Sequence, residues 1–390
     1  QQDIQHKQSF AFGTLVEIKT SGNPGHHADQ AIQRIFSDFD IMHKNWHAWE
    51  PGQLTELNAR LRTGNWVNAD PSLLPLIRLS KQYSRLSDGL FNPALGNLVK
   101  LWGFQQTSLP TQPPGRHRIE KILRDLPTME DVMIKGEKLR ADNPHIQFDL
   151  GAIAKGYAMS SAITSLRSQG ISNALVNAGG DLCGMGSKDD APWKIGIRDP
   201  DAEGVLASIE LDGAECVFTS GDYERFFLYN GIRYHHIIDP QTGYPADRST
   251  SVTVLHADGT LADAASTALL IAGPERLRDV AENMGIEMYL MIDRKDHLYM
   301  SEEMAARIGS AVPDEGEAPL RAGIRAYLQY AHDQRELWGP ILESTRYRPV
   351  AAAALRLRDQ QFRLVVASVK GGYDDIGVVA DPREVEALAH

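Results

Sequence analysis

Asp263 and Thr267 stand four residues apart in Thr260-Leu261-Ala262-Asp263-Ala264-Ala265-Ser266-Thr267. A helix there puts a carboxylate and a hydroxyl on one face. Hard oxygen donors so placed suit Mg²⁺. Thr260 and Asp263 also fit the S/T-x-x-D/E pattern of a capping box, and the residues alone favour capping. A second group is Asp149-Leu150-Gly151-Ala152-Ile153-Ala154-Lys155-Gly156-Tyr157, where a strand end meets a helix start. Free N–H groups at a helix start and the Lys155 charge attract an anion such as phosphate. Gly151 lets the backbone come close to a ligand. An ordinary strand-to-helix turn with a solvated lysine accounts for the same residues and is slightly favoured on them alone.

Asn177-Ala178-Gly179-Gly180-Asp181 runs a buried strand into two glycines and a carboxylate. Paired glycines clear side chains from where a flat ligand or phosphate would lie, and they also make a tight hairpin turn. Thr219-Ser220-Gly221-Asp222-Tyr223-Glu224-Arg225 is followed by His235-His236-Ile237-Ile238-Asp239-Pro240-Gln241-Thr242-Gly243. A histidine near a carboxylate can take a proton from a hydroxyl nucleophile, whereas a lone histidine is more often a satisfied, partly buried side chain. His43 and His47 lack the Glu of a zinc-protease motif and read as a surface or packing feature. No G-x-S-x-G elbow, P-loop or cysteine nucleophile occurs.

The elements that must carry these groups follow from periodicity. Phe10 to Ile18 alternates as a strand broken by Gly13, and Ala31, Ile32, Ile35, Phe36 and Phe39 recur at helical spacing. Asp70-Pro71-Ser72 opens a helix through about Ser87; Arg118 to Leu126 reads as a short helix. Ala152 to Gln169 is a long helix stopped by Gly170, and Leu261 to Ala272 and Glu275 to Met284 are helices. Strands are expected at Val132 to Ile134, Ile146 to Leu150, Ala174 to Asn177, Trp193 to Ile197, Ala207 to Leu211, Cys216 to Ser220, His235 to Ile238, Ser251 to His256 and Glu287 to Ile292. The pattern is α+β, without repeats or heptads. Composition shifts after about Ala311, so residues 1–310 are taken as one domain and 311–390 as an appended C-terminal segment of open role.

With 390 residues and 42% hydrophobic content, the chain can bury a large core. A net charge of −11 without a Lys/Arg block argues against a nucleic-acid surface. No window of about 18 apolar residues marks a membrane span. The first ten residues are polar, and a chain opening on Gln1 fits either a trimmed chain or a mature exported one. Cys183 and Cys216 are read as unpaired core thiols, with one disulfide as the alternative.

Taken in order, these segments resemble the ApbE family of FAD:protein FMN transferases. The resemblance runs through Phe12-Gly13-Thr14, Asn92-Pro93-Ala94-Leu95-Gly96, Leu101-Trp102-Gly103-Phe104, Asp149 to Tyr157, Asn177 to Asp181 and Gly196-Ile197-Arg198-Asp199-Pro200. It continues through Thr219 to Phe226, His236 to Gly243 and Asp263 to Thr267, covering roughly residues 8 to 305. Phe12 stands where methionine is usual, and Trp49-Glu50-Pro51-Gly52-Gln53-Leu54 matches the family's acidic loop only loosely. The resemblance implies an α+β, mixed-sheet, T-fold-related core with an FAD groove between two subdomains. It implies a Mg²⁺ site made of Asp263, Thr267 and main-chain oxygens at Ala152 and Ser266. Lys155 would offset phosphate charge, and His236, assisted by Asp222, would deprotonate a hydroxyl. FAD contacts would fall on Phe12, Gly13, Thr14, Asp149, Gly151, Lys155, Gly156, Asn177, Gly179, Gly180, Asp181, Ser220, Gly221, His236 and Ile238. The implied reaction moves the FMN half of FAD to a threonine or serine of an acceptor flavoprotein and releases AMP. Alternatives are an FAD pyrophosphatase giving free FMN and AMP, and a non-catalytic FAD-binding protein. Family members commonly work in the periplasm or otherwise outside the cytoplasmic membrane, so export is expected, with membrane association only through a removed N-terminal segment.

Overall fold

The structure, a computed structural model, describes residues 4–22, 26–188, 190–200 and 205–309. The expected appended segment 311–390 lies outside the described residues. An antiparallel hairpin comes first: β1 (Ile4–Ala11) pairs with β2 (Thr14–Ser21). Its two-residue turn is Phe12 at φ 53° and Gly13 at φ 75°, the left-handed pair such hairpins require. The single strand expected over Phe10 to Ile18 is therefore two. Alternation survives a two-residue turn, and Phe in place of the usual Asn or Asp concealed it. The polar stretch before Phe10 is β1 itself, alternating exposed and half-buried positions.

The chain continues through α1 (His26–Trp46), α2 (Gln53–Leu61), β3 (Val67–Asn68), α3 (Leu74–Leu86), α4 (Gly96–Trp102) and α5 (Arg116–Arg124). Then come β4 (Val132–Lys135), β5 (Lys138–Ala141), α6 (Gly151–Ser168), β6 (Ala174–Ala178), β7 (Asp181–Met185), β8 (Ser187–Lys188) and β9 (Ala191–Pro192). They are followed by β10 (Lys194–Arg198), β11 (Val205–Glu210), β12 (Glu215–Gly221), β13 (Phe226–Tyr229), β14 (Ile232–His235) and β15 (Ser249–His256). Last are α7 (Gly259–Met284), β16 (Met288–Asp293), β17 (Leu298–Met300) and α8 (Glu302–Gly309). The α+β class is as expected. The main sheet has eight strands in the order β1-β2-β6-β7-β12-β15-β16-β17, and its neighbours pair antiparallel.

Sequence periodicity missed α2 and α4, short helices whose buried faces are Leu54, Leu57, Asn58 and Leu61, and Gly96, Leu98 and Trp102. Ile146 to Leu150 is not a strand: its one ladder contact is the Leu95–Gln147 bridge, and Asn58 bonds Phe148 at both N–H and C=O. The expected strand His235 to Ile238 ends at His235, and Ile238 makes only an isolated bridge to Pro245.

The chain divides into two compact units, Gln1–Lys194 with Leu211–Met304, and Ile195–Glu210 with Ala305–His390. Among the described residues the first holds two apolar cores. The larger one packs α1, α3, α6 and α7 on the sheet through side chains such as Ile32, Phe39, Leu76, Ile153, Val176, Phe218, Val254 and Leu269. The smaller one, Leu98, Trp102, Phe104, Ile119, Phe227 and Ile238, is largely aromatic. Trp102 stacks on Phe104 and Tyr234, and its Nε1 donates to Gly243 O at 2.8 Å. In the second unit, β10 pairs with β11, and Arg307 Nη2 donates to Glu210 O at 2.7 Å.

Residues 259–273 of α7 are buried nearly all round, which marks a central helix, and the two helices expected here meet at a kink at Gly273 ahead of Pro274. It is capped by Asp258, which accepts from Thr260 N at 2.8 Å. The capping box expected of Thr260 and Asp263 is therefore absent: the helix begins earlier, and Asp263 is turned inward. α6 crosses α7 at Gly156, where a Cβ would lie 2.2 Å from Gly259 O and 2.7 Å from Asp263 Cβ. Only glycine fits that crossing. Behind it, Cys183 and Cys216, direct register partners on β7 and β12, form a disulfide. The reading of two unpaired thiols is corrected; linear spacing gave no sign that the two positions face each other. No helix among the described residues is long and apolar enough to cross a membrane.

Candidate active site

The sheet and two helices bring Lys155, Asp181 and Asp263 together. Lys155 on α6 forms an ion pair with Asp181 at the start of β7. The other Asp181 oxygen accepts Thr219 N–H at 3.0 Å. Asp263 Oδ2 accepts Gly156 N–H at 2.9 Å. In a regular helix that N–H would bond to Ala152 C=O. Ala152 instead stands off the helix at φ −91°, ψ 16°. A buried carboxylate thus borrows a donor from α6 and loosens the claim on the Ala152 oxygen.

Electrostatics follow from this crowding. Burial pushes the Asp263 carboxyl up to about 7, and Asp181 adds to the rise, while Lys155 and the Gly156 N–H oppose it. Burial works against the Lys155 ammonium, yet Asp181 and Asp263 outweigh it and hold Lys155 above the usual lysine range. Two carboxylates therefore share one cation, which leaves the cluster short of positive charge.

A row of hydroxyls lies alongside. Ser220 Oγ, near the end of β12, is 2.8 Å from Ser266 Oγ and 3.2 Å from Thr267 Oγ1. Ser266 Oγ donates to Asp263 O at 2.9 Å. The expected metal set of Asp263, Thr267, Ala152 and Ser266 therefore sits on the facing starts of α6 and α7. The donor set suits a hard cation: one buried carboxylate with Oδ1 free of hydrogen bonds among the described residues, one hydroxyl, and main-chain oxygens. No group of three His, Cys, Asp or Glu side chains able to hold a metal occurs among the described residues, so any such site depends on neutral oxygens.

Two turns flank the cluster. Gly179 and Gly180 turn β6 into β7 at φ 68° and 102°, conformations that favour glycine. Gly180 N donates to Asn177 Oδ1 at 3.0 Å, and Asn177 Nδ2 to Glu17 Oε2 at 3.1 Å. A Cβ on Gly179 would lie 2.5 Å from Thr14 Oγ1, so the Phe12-Gly13-Thr14 turn abuts this one. The hairpin reading of Gly179-Gly180 holds, and the turn sets Asp181 beside Lys155. Phe12 packs edge-on against Phe39 and His43.

Other expected residues behave differently. Asp149 is half-buried, and desolvation pushes its carboxyl above the usual range, with Gly151 N–H and Trp49 opposing. Its oxygens accept Gly151 N–H at 3.0 Å and Trp49 Nε1–H at 3.2 Å. Of the N–H groups at the helix start, that of Gly151 is thus taken by Asp149. Ile238 buries its side chain in the aromatic core, and Gly221 lies under the Tyr223 ring. His236 is half-buried, with Nδ1 buried and unbonded. Burial, then His235, Lys155 and Arg225, push its imidazole down to about 3. Asp222 does not partner it: among the described residues its carboxylate meets Arg233 and Arg294.

Sequence reasoning missed Trp49, Arg233 and Arg294. His47 Nδ1 accepts the N–H groups of Trp49 and Glu50 at 3.2 and 2.9 Å, shaping the loop that delivers Trp49 to Asp149. The clue was the loosely matching Trp49–Leu54 stretch. The arginines carry no local signal, because they reach Asp222 from distant segments.

The model of the ApbE family matches residues 12–290. FAD:protein FMN transferase of Rhodobacter capsulatus is 40% identical over 311 residues, covering 80% of this chain and 59% of that protein. The Vibrio cholerae enzyme of the same name is 36% identical over 299 residues, covering 75% of this chain and 88% of its own. Among solved structures, the Thermotoga maritima ApbE protein superposes with TM-score 0.73 at 33% identity, covering 78% of this chain and 99% of that one. The Vibrio cholerae flavin transferase ApbE gives TM-score 0.71 at 29% identity, covering 79% and 100%. The segments that build the cluster, from Phe12 to Thr267, all fall inside the matched span, and the chain belongs to the ApbE family.

Proposed function

We propose that this chain is an FAD:protein FMN transferase, moving the FMN half of FAD to a threonine or serine hydroxyl of an acceptor flavoprotein and releasing AMP. The relatives' names support the reaction. The observation that carries it here is the Lys155–Asp181–Asp263 cluster with Ser220, Ser266 and Thr267 beside it.

Each residue has a part. Lys155 would offset the charge of a diphosphate. Asp263 and Thr267, with main-chain oxygens of Ala152 and Ser266, would hold Mg²⁺. Bound there, Mg²⁺ would supply Lewis acidity toward phosphoryl oxygens. His236 is neutral at physiological pH and so free to accept the acceptor hydroxyl's proton; the charge of an anionic dinucleotide would raise its basicity. The acceptor oxygen forms a bond to the FMN phosphorus, and the bond from that phosphorus to the bridging oxygen breaks, leaving AMP. Asn177, Gly179, Gly180, Phe12, Gly13 and Thr14 would line the flavin side. The Cys183–Cys216 disulfide favours an oxidising compartment outside the cytoplasm.

Incubation with FAD, Mg²⁺ and a flavin-accepting domain is expected to raise the acceptor's mass by one FMN. EDTA and Asp263→Ala should each stop the gain. Free FMN and AMP without acceptor labelling would instead identify a pyrophosphatase, and intact bound FAD a binding protein.

A further inference from the structure

Asp222 is fully buried directly after β12, the strand that ends in Ser220 and Gly221. Its Oδ1 accepts from Arg233 Nη1 at 2.6 Å, and its Oδ2 forms an ion pair with Arg294 Nη1 at 2.5 Å without hydrogen-bond geometry. Arg233 belongs to β14, three residues before His236, and its guanidinium also covers the Phe226 ring at 4.7 Å. Arg294 follows β16 directly. Asp222 N donates to Thr250 O at 2.9 Å, and Thr250 Oγ1 donates to Asp293 O at 3.2 Å. One carboxylate therefore joins the end of β12, the β13–β14 hairpin and the end of β16.

An imidazole is usually oriented by a hydrogen bond at its second ring nitrogen. His236 has none at Nδ1. Its place is set by its backbone: His236 N donates to Arg225 O at 3.0 Å, and the neighbouring His235 Nε2 lies 2.6 Å from Ala246 O. Whatever fixes the hairpin fixes His236. The charges acting on His236 come from His235, Lys155 and Arg225, whereas Asp222 acts on His235.

We propose that Asp222 is a positioning residue that, with Arg233 and Arg294, locks the β13–β14 hairpin and so places His236, without exchanging a proton with it. This rests on His236 being the base of the transfer reaction. Arg294→Gln, a change at a one-third-exposed side chain, and Asp222→Asn are each expected to lower kcat about tenfold or more. KM for FAD should stay within about twofold, and the pH limbs of kcat should not move. The double variant should be no worse than the poorer single one, because both remove one unit. Arg294→Lys should recover most of kcat. A readout free of turnover is the carbethoxylation rate of His236, followed by peptide mass, which should rise severalfold in Arg294→Gln. An unchanged kcat and carbethoxylation rate in Arg294→Gln would overturn the proposal. So would a displaced pH limb in Asp222→Asn alone, or a KM for FAD that rises in step with the loss. If the wild type labels no acceptor, the functional reading falls, and the carbethoxylation rates still decide whether the lock places His236.

Discussion

Lys155, Asp181 and Asp263 hang on the large sheet-and-helix core, whereas His236 hangs on a small aromatic one, and the two regions are finished to different degrees. In the first, Asp181 is held by Lys155 and Thr219, and Asp263 by Gly156, across a helix crossing with no room for a methyl group. In the second, Nδ1 of His236 is buried without a hydrogen bond, and the hairpin leading to it ends in exposed Leu228, Tyr229 and Ile232. The first region satisfies its own charges within the fold, whereas the second keeps a buried ring nitrogen without a hydrogen bond and apolar side chains in solvent.

The contrast is open to attack at several points. Asp263→Ala, which removes the carboxylate from the finished half, should lower transfer by about ten-thousandfold, on the order of 5 kcal/mol of transition-state stabilisation; acceptor mass spectrometry reads this. His236→Ala should cost about a hundredfold to a thousandfold while FAD affinity, measured by flavin fluorescence, holds. A matching loss of affinity would show the two halves are not separate. Gly156→Ala forces α6 and α7 apart and should destabilise the fold by about 1–3 kcal/mol, visible as a lower Tm and a loss of activity together.

A last variant tests the charge shortage directly. The Asp263 carboxyl is raised to about 7 in the fold from the ordinary unfolded value. Its contribution to stability is therefore full at low pH and lost as pH rises through about 7. Asp263→Asn keeps an acceptor for Gly156 N–H but removes the charge. In metal-free buffer it should be more stable than the wild type at pH 8, by on the order of 1–3 kcal/mol, with the gap closing toward pH 5. Chemical denaturation at both pH values measures it; a gap that widens in acid would contradict the assignment.

Much of this was legible in the sequence, for stated reasons. Apolar spacing declared α1, Gly170 marked the stop of α6, and α7 was read as two helices, Leu261 to Ala272 and Glu275 to Met284, which meet at its Gly273 kink. Asp263 and Thr267 shared a face as four-residue spacing requires. Residue spacing alone could not choose between a cap and a ligand for Asp263; Asp258, two residues ahead of Thr260, took the cap. Pairings across the fold left no trace in local pattern. Cys183 faces Cys216 only because β7 and β12 are neighbours, and Asp222 finds Arg233 and Arg294 only after three segments converge. Phe12-Gly13 hid a turn because its left-handed φ falls on a residue that rarely adopts it.

The most direct test is to locate a divalent cation and FAD together on this chain by crystallography, using Mn²⁺ for its anomalous signal. The account predicts one ion within about 2.3 Å of Asp263 Oδ1 and Thr267 Oγ1, touching the dinucleotide's diphosphate, with Lys155 beside it. A well-occupied complex whose phosphates lie away from Asp263 and Thr267 would contradict it.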